Sequence, residues 1–565
     1  MKYVTHLIRW DLRRLRLPLS FWALLVAAYT LVVGLRPYTA ADLSLRESVG
    51  VVDSLLWLTI LLMTLATVSL VIHEHPTVGT DAFWMTRAIP PDSLLASKLA
   101  ILVAATLVIP AAAESILLAI NRMPLTVSLG VLAQTTAIRL VLLILLVAGA
   151  VMTRNLARFA LVCGGAIMAV AAAIGIATSM LMGRLEDEPP IDTSARFVED
   201  PSAGVVFNAL FVLAVLVTLR IQYRTRLKRR SLAIGAAAVA GAVTISSLWS
   251  IPFLRHRLEV PEWASGLGVS VDTGRLSTNT QHAFYATRAN EWRTVNGPIY
   301  VTGLPLGWSA NVAVREASLE LPNGTAVRSR RRWRTYALVG GGIHVGPESY
   351  VVLRDLLGVK VLGNVVPAQI EPPRPESLPV LFLFRRTEAA PLLPARGVYH
   401  ARMDVNLTHF AVLGAIPLRP GATHQSGGYR LSIDRIGFFD RQLGVAAREA
   451  RATSMWERRP WAQYRIFLRN VARAEAVAVS DYTMQHVFSL LRLLPVGEFF
   501  IGSAQSSGFS SRGVVLSVPP RYRPDATTVD VDDNWLRDAE LVIVRQTEEG
   551  WVERTLDIPD FPIDQ

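Results

Sequence analysis

Lys2, Lys98, Lys228 and Lys360 are the only lysines in 565 residues, and none follows a glycine. A phosphate loop requires Gly-x-x-x-x-Gly-Lys-Ser/Thr, because backbone amides and the lysine ammonium cradle the phosphates together. The chain therefore holds no ATP-hydrolysing site of that kind. His73 and His75 flank Glu74, but His-x-His lacks the i, i+4 spacing that brings two imidazoles onto one metal. No Gly-x-Ser-x-Gly elbow occurs. Ser503, Ser506, Ser507, Ser510 and Ser511 read as loop residues. Asp530, Asp532 and Asp533 fall short of a calcium-loop pattern and read as a solvated turn. Other carboxylates are plentiful, but choosing a catalytic pair among them needs geometry. The single cysteine, Cys163, excludes an intrachain disulfide and a thiolate metal cluster. The chain is expected to be no enzyme and to carry no metal or cofactor of its own.

Two further ionisable residues stand where charge is costly. Seven apolar runs approach the length of about 20 residues that a bilayer core demands. They are Leu19–Leu35, Val51–Ile72, Leu99–Ile120, Val127–Met152, Phe159–Met182, Ala203–Leu219 and Leu232–Leu254. Glu114 falls towards the outer end of the third run and Arg139 near the middle of the fourth. Each would cost about 2.5–3.5 kcal/mol at a lipid-facing centre. On adjacent antiparallel helices they can neutralise each other, either fixing helix register or lining a substrate path. Trp22, Trp57 and Trp249 are placed to act as interfacial anchors.

Charge sets the orientation of these runs. Hydrophobic residues make up 51% of the chain and charged residues 18%, against about 25% charged in a soluble domain. Met1–Leu254 holds 21 of the 57 basic and 14 of the 45 acidic residues, so ordinary soluble chemistry begins only after Leu254. A wholly soluble enzyme, a disordered chain and a fibrous protein are excluded. Lys2, Arg9, Arg13, Arg14 and Arg16 precede the first run. Arg220, Arg224, Arg226, Lys228, Arg229 and Arg230 follow the sixth. The loop Arg184–Pro201 is acidic at Glu186, Asp187 and Glu188. The positive-inside rule puts the N-terminus in the cytoplasm and, with seven spans, everything after Arg255 outside. The formal charge of +12 is thus topological, and no nucleic-acid partner is expected. Val4, Leu7, Ile8, Leu12 and Leu15 recur at helical spacing, which predicts a helix lying in the cytoplasmic interface against lipid.

The longest cytoplasmic loop joins the second and third runs. It contains Glu74, Gly79-Thr80, Phe83-Trp84, Thr86-Arg87-Ala88-Ile89-Pro90 and then Leu94-Leu95-Ala96-Ser97-Lys98, with Asp92 as a helix N-cap. Phe83 and Trp84 are large apolar groups in a loop, so they rest on lipid or dock a partner. This segment resembles the first cytoplasmic loop of the membrane subunits of type-2 ABC exporters. Trp10-Asp11-Leu12-Arg13-Arg14-Leu15 also looks like that family's N-terminal helix. The sequence departs from the family at Ala88, where proline is common, and at Pro90-Pro91, where serine is common. The resemblance covers about Met1–Arg230. It implies a six-span core and a separate ABC ATPase that contacts this loop and supplies ATP and Mg²⁺. It also implies a second permease half, from a homodimer or a paralogue.

Beyond Arg255 the pattern changes to short alternating strands. Ser318–Leu321, Pro322-Asn323-Gly324 and Thr325–Arg328 read as a hairpin with Asn-Gly at its turn. Tyr399–Val405, Tyr429–Ile436, Gln463–Leu468, Val514–Val518 and Leu541–Val544 also read as strands. Glu548-Glu549-Gly550 reads as the turn of a last hairpin into Trp551–Leu556. Asp481–Leu494 reads as a helix too short to span. Arg328, Arg330, Arg332 and Arg334 share one parity. A strand would line them on one face, either solvated or attractive to phosphate and anionic headgroups.

The expected fold is an α-helical polytopic membrane domain, a six-span core plus a seventh span, followed by a β-rich extracytoplasmic domain. Its expected parts are an interfacial helix (1–18), the core (19–230), the seventh span (231–254) and two β-rich subdomains (255–370 and 371–565), the second opening at the proline-rich Glu371–Pro379. The expected setting is a bacterial cell (inner) membrane, and the outer domain is free to meet an envelope partner. The expected function is that of an exporter permease. The alternative is a membrane anchor or signalling protein that presents the β-rich domain. Cysteine labelling of intact cells, with Cys163 replaced, should reach position 426 but not position 231. Modification at position 565 only after the membrane is broken would refute the seven-span topology.

Overall fold

The computed structural model describes residues 2–39, 43–74, 91–153, 155–165, 213–222, 233, 237, 261–280, 292–329, 347–362, 380–385, 395–439, 442–453, 463–481, 508–517, 521–522, 528–529, 531 and 533–563. Helix α1 (Lys2–Arg14) bends at Leu15 into α2 (Arg16–Leu35). A 3₁₀ turn, Arg36–Thr39, precedes α3 (Leu43–His73). Then α4 (Pro91–Val103), a π-helical turn (Ala104–Val108) and α5 (Ile109–Ile120) run on as one continuous helix. Helix α6 (Leu125–Val151) returns after a short turn. Two shorter apolar helices follow, α7 (Leu156–Gly165) and α8 (Leu213–Gln222).

Four of these stretches are long and apolar enough to cross a membrane: Arg16–Tyr38, Val51–His73, Asp92–Ile120 and Leu125–Val151. They correspond to the first four expected spans. The expected fifth and sixth spans are represented by α7 and α8, and the seventh by residues 233 and 237; the rest of all three lies outside the described residues. Leu17, Leu24, Leu31, Leu55, Leu125 and Leu129 point outward, while Val68, Val71, Leu94, Leu102, Leu143 and Val147 pack inside. Such an apolar exterior suits hydrocarbon, where each helix must satisfy its own backbone. The π turn has a local cause. Pro110 has no N–H to give the carbonyl four residues back, and its ring would crowd that carbonyl. The chain instead makes an i→i−5 bond, from the Ile109 N–H to the Ala104 carbonyl.

Two of the helical expectations need correction. Trp22 is not an interfacial anchor: it is 2% exposed and donates to Thr64 Oγ1 at 3.1 Å. Helix α1 does not simply lie on the interface with Leu12 inward. Leu7, Asp11 and Leu15 form its buried side against the bundle, and Leu12 is exposed.

The remainder is β-rich. β1 (Gly268–Val271) pairs with β4 (Ile299–Thr302), and β2 (Ser277–Thr280), β3 (Trp292–Asn296) and β8 (Val380–Arg385) form a three-stranded sheet. A seven-stranded sheet runs through β6 (Ala326–Arg328), β5 (Trp308–Glu320), β9 (Ala395–Pro417), β19 (Ala539–Ile563), β13 (Gln463–Asn470), β14 (Glu475–Ala478) and β7 (Lys360–Leu362), in that order. A five-stranded sheet orders β10 (Thr423–Ser426), β11 (Tyr429–Phe439), β12 (Gln442–Thr453), β16 (Gly508–Ser517) and β15 (Ser480–Asp481). β17 (Arg521–Tyr522) pairs with β18 (Thr528–Val529).

The β9–β19 ribbon joins two cores. Tyr399, Met403, Val405 and Phe561 belong to the first, with β5. Ile416, Leu541 and Ile543 belong to the second, against the five-stranded sheet. Val542 and Val544, on the opposite face, meet Leu353 and Leu357 of helix α9 (Pro347–Leu357). Four consecutive residues of β19 are therefore buried, because both faces of the sheet are covered there.

The Asn-Gly hairpin has its expected register, Ser318 opposite Arg328 and Glu320 opposite Ala326, with Gly324 at φ +79°. Glu548-Glu549-Gly550 is not a hairpin turn. β19 continues through it, pairing with β9 from Glu540 to Ile563, and Glu549 is the extra residue of a bulge. Gly550 takes φ +129° there, and the Glu549 carboxylate turns inward to accept from Thr547 Oγ1 at 2.7 Å. Asp481, expected to begin a helix, lies in β15; the rest of Asp481–Leu494 lies outside the described residues. The seven-stranded sheet takes β5, β6 and β7 from one side of residue 371 and β9, β13, β14 and β19 from the other, so the two expected β-rich subdomains share one sheet.

His424, on β10, lays its ring against Gly414 of β9, where a Cβ would collide with it. Its Nε2 has no hydrogen-bond partner. Burial pushes its pKa below the usual histidine value. The unfolded chain then binds the proton more readily, so stability is whole above about pH 6.5 and falls as pH drops through the lowered value. Thermal unfolding in detergent should show a larger loss between pH 7 and pH 5 in the natural chain than in His424→Gln. Equal losses would assign the acid sensitivity to other groups.

Candidate functional site

The residues singled out by sequence separate onto the two ends of the Pro91–Ile120 helix. At one end, Lys98 of α4 meets Asp11 of α1, Nζ to Oδ2, at 2.9 Å, with both side chains fully buried. Ser97 beside it donates to the Leu94 carbonyl. Arg14, one turn beyond Asp11, pairs with Glu74 just past the end of α3. Helix α1 thus holds both flanks of the 75–90 segment by charge. Gly79, Thr80, Phe83, Trp84, Arg87 and Pro90 lie outside the described residues. Asp92 pairs with Arg220 of α8 at 3.5 Å in the open. A buried pair of this kind gains little over an apolar pair, but losing one partner typically costs about 3–5 kcal/mol. The Asp11–Lys98 pair therefore acts mainly as a register device.

His73 belongs to the same end. Its Nδ1 is 2.7 Å from Ser69 Oγ, and its Nε2 reaches the Ala150 and Thr153 carbonyls at 3.0 and 3.1 Å. Both ring nitrogens are occupied: Nδ1 within α3 itself, and Nε2 in tying α3 to the end of α6. Among the described residues, no group of three or more His, Cys, Asp or Glu side chains is arranged to hold a metal.

Further along the helix, Arg139 Nη1 lies 2.9 Å from Glu114 Oε2, and Thr135 Oγ1 donates to the same oxygen at 2.8 Å. Arg36 and Asp53 pair at 3.4 Å near the same end of the bundle. Sequence could nominate Glu114 and Arg139 as charges within spans. Thr135 was missed; it stands one turn before Arg139 on the same face of α6.

At its far end the helix stops at a turn that carries the β-rich domain. Asn121, Arg122 and Met123 form a Schellman cap: the Met123 N–H bonds the Leu118 carbonyl at 3.0 Å and the Arg122 N–H bonds the Ala119 carbonyl at 2.9 Å. The five-stranded sheet sits on this turn. Arg430 Nη1 donates to the Asn121 carbonyl at 2.8 Å, Gln425 Nε2 to the Arg122 carbonyl at 2.7 Å, and Ser511 Oγ to Asn121 Oδ1 at 3.3 Å. Leu118, Met123 and Val131 pack against Ala450, Ala452 and Phe509. The Arg448 guanidinium stands 4.7 Å over the Tyr38 ring. Sequence reasoning did not find this junction, because no local signal marks Ala450 or Ser511 as a contact.

Of the arginine stripe, Arg328 is exposed at the end of β6; Arg330, Arg332 and Arg334 lie outside the described residues. Asp530 and Asp532 also lie outside, while Asp533 opens the short helix α10 (Asp533–Arg537). Ser510 and Ser511 are strand residues of β16; Ser503, Ser506 and Ser507 lie outside. No protein-family model matches this chain, and neither a curated protein nor a solved structure does.

The Glu114–Arg139 pair offers a direct measurement. Glu114→Gln leaves a guanidinium that cannot shed its proton, whereas Arg139→Gln leaves a carboxyl that can take one up. Glu114→Gln should therefore lower the thermal unfolding midpoint in detergent more than Arg139→Gln, and the double variant should recover part of the loss. Additive losses would mean that the two groups contribute separately.

Proposed function

We propose that this chain is the transmembrane subunit of an ATP-binding-cassette exporter, similar to the type-2 permeases. It would couple ATP hydrolysis on a separate subunit to substrate export or to movement of the β-rich domain. The observation that carries this reading is the pair of tethers on α1. The motif similar to the family's contact loop starts at Glu74 and ends at Lys98, and both residues are ion-paired to that helix. A displacement of the 75–90 segment would reach the Pro91–Ile120 helix at once, and that helix ends under the five-stranded sheet. ATP and Mg²⁺ belong to the ATPase partner, and a second permease half completes the path.

The six-plus-one arrangement is part of the same proposal, with the N-terminus cytoplasmic and the β-rich domain outside a cell membrane. Chain parity supports it. Helix α6 ends beside His73, at the α1 end of the bundle. Phe159, early in α7, packs near Gly149 at that same end, and the Arg220–Asp92 pair returns the end of α8 to it. One further crossing, by the apolar run Leu232–Leu254, then brings the chain to the sheet at the opposite end.

Phe83→Ala with Trp84→Ala should release a co-purifying ATPase while membrane insertion is retained. Truncating buried aromatic anchors often costs at least about 2 kcal/mol, near thirtyfold in affinity. Unchanged co-purification and unchanged ATPase stimulation would favour the other reading, an anchor or signalling protein presenting its β-rich domain.

A further inference from the structure

The junction between the helices and the sheet gathers arginines at the edge of the lipid-facing surface. Arg122 stands at the α5–α6 turn, and Arg430 and Arg448 come from the sheet face that covers it. Burial works against the charged form of Arg430, and the positive charges of Arg122 and Arg448 add to that pressure. The acids at hand are already engaged: Asp434 by Arg448 at 2.8 Å and Asp53 by Arg36 at 3.4 Å. The Arg122 guanidinium is exposed and has no partner among the described residues. Immediately below it the helices present Ile116, Ile120, Leu125 and Leu129, all more than half exposed, with Tyr38 60% exposed beside them. That is the level at which a bilayer changes from hydrocarbon to headgroups, where tyrosines collect.

The backbone at Arg122 is an independent observation. Its φ is +53°, the left-handed conformation of a helix C′ position, which is usually glycine because any Cβ is strained there. The chain keeps an arginine where the cap itself asks for glycine. The Met123 and Leu118 contacts that complete the motif are present without help from the arginine side chain. A strained residue at such a place points to a use for its charge.

We infer that Arg122, Arg430 and Arg448 form a binding site for the phosphate of an anionic phospholipid headgroup at the seam between the bundle and the β-rich domain. The inference rests on the membrane-spanning reading of the four helices. A lipid bound there would bridge the α5–α6 turn and the sheet, adding a third layer to the contacts at Asn121.

The test uses the full chain in nanodiscs of phosphatidylcholine alone and of phosphatidylcholine with one quarter phosphatidylglycerol. Thermal unfolding and native mass spectrometry of retained lipid are the readouts. The natural chain should unfold at a higher temperature with phosphatidylglycerol and retain it preferentially. Arg122→Gly should unfold no lower than the natural chain in phosphatidylcholine, because the cap is relieved, yet bind phosphatidylglycerol about fivefold more weakly, the worth of one basic group at an anionic surface. Opposite effects on the cap and on lipid retention are a signature that a purely structural arginine would not give. Arg430→Lys, which keeps the charge, should retain more of the preference than Arg430→Gln. Equal retention of the two lipids by the natural chain, or an equal upward shift on adding inorganic phosphate in phosphatidylcholine discs, would overturn the site. Failure of the chain to enter nanodiscs of either composition would instead overturn the membrane-spanning reading.

Discussion

A helix in hydrocarbon has to satisfy its own backbone, and the Pro91–Ile120 helix, long and apolar enough to cross a membrane, runs on for about 45 Å at 1.5 Å per residue. The rest of the structure is fastened to it. Helix α1 is locked on at Lys98, α6 at Glu114, and the five-stranded sheet at Asn121 and Arg122. The one irregularity is the π turn before Pro110, where the Ile109 N–H reaches back five residues to the Ala104 carbonyl. Such turns are frequent at functional sites. Here it lies between the charge pair at one end and the docked sheet at the other.

The charges along this helix differ in what surrounds them. Asp11 and Lys98 are wholly buried, so each needs the other, and Asp11 Oδ1 receives no further donor. Glu114 and Arg139 are only partly buried, and Thr135 supplies an additional donor. The first pair fixes how α1 sits on α4. The second fixes the register of α5 against α6, the hairpin whose turn carries the sheet. The second pair therefore holds the hairpin on which the junction with the β-rich domain depends.

That domain is organised by one long ribbon. β9 and β19 pair over almost their whole lengths with three bulges, at Ile543/Val544, Glu548/Gly550 and Ile558/Phe561. Bulges increase local twist and bend the strand, so the same two strands can serve one core near Tyr399 and another near Ile543. The five-stranded sheet is two-sided in consequence. Val445, Ala447, Val514 and Leu516 face the ribbon, and Ala450, Ala452 and Phe509 face the helix turn.

The sequence alone determined the division into an apolar helical part and a β-rich part, because hydropathy and alternation are local properties of the chain. It also determined the four long helices, the Asn-Gly hairpin and the two costly charges in the spans. Tertiary structure decided what depends on distant partners. Asp11 looks like a surface residue of an amphipathic helix until Lys98 meets it, and Trp22 looks like an anchor until Thr64 receives its N–H. Glu548-Glu549-Gly550 has turn composition, but β19 goes on pairing with β9 on both sides of it, which makes the extra residue a bulge rather than a turn. The junction at Asn121 was illegible for the same reason: its two sides are some 300 residues apart, at Arg122 and Gln425, and neither carries a pattern that names the other.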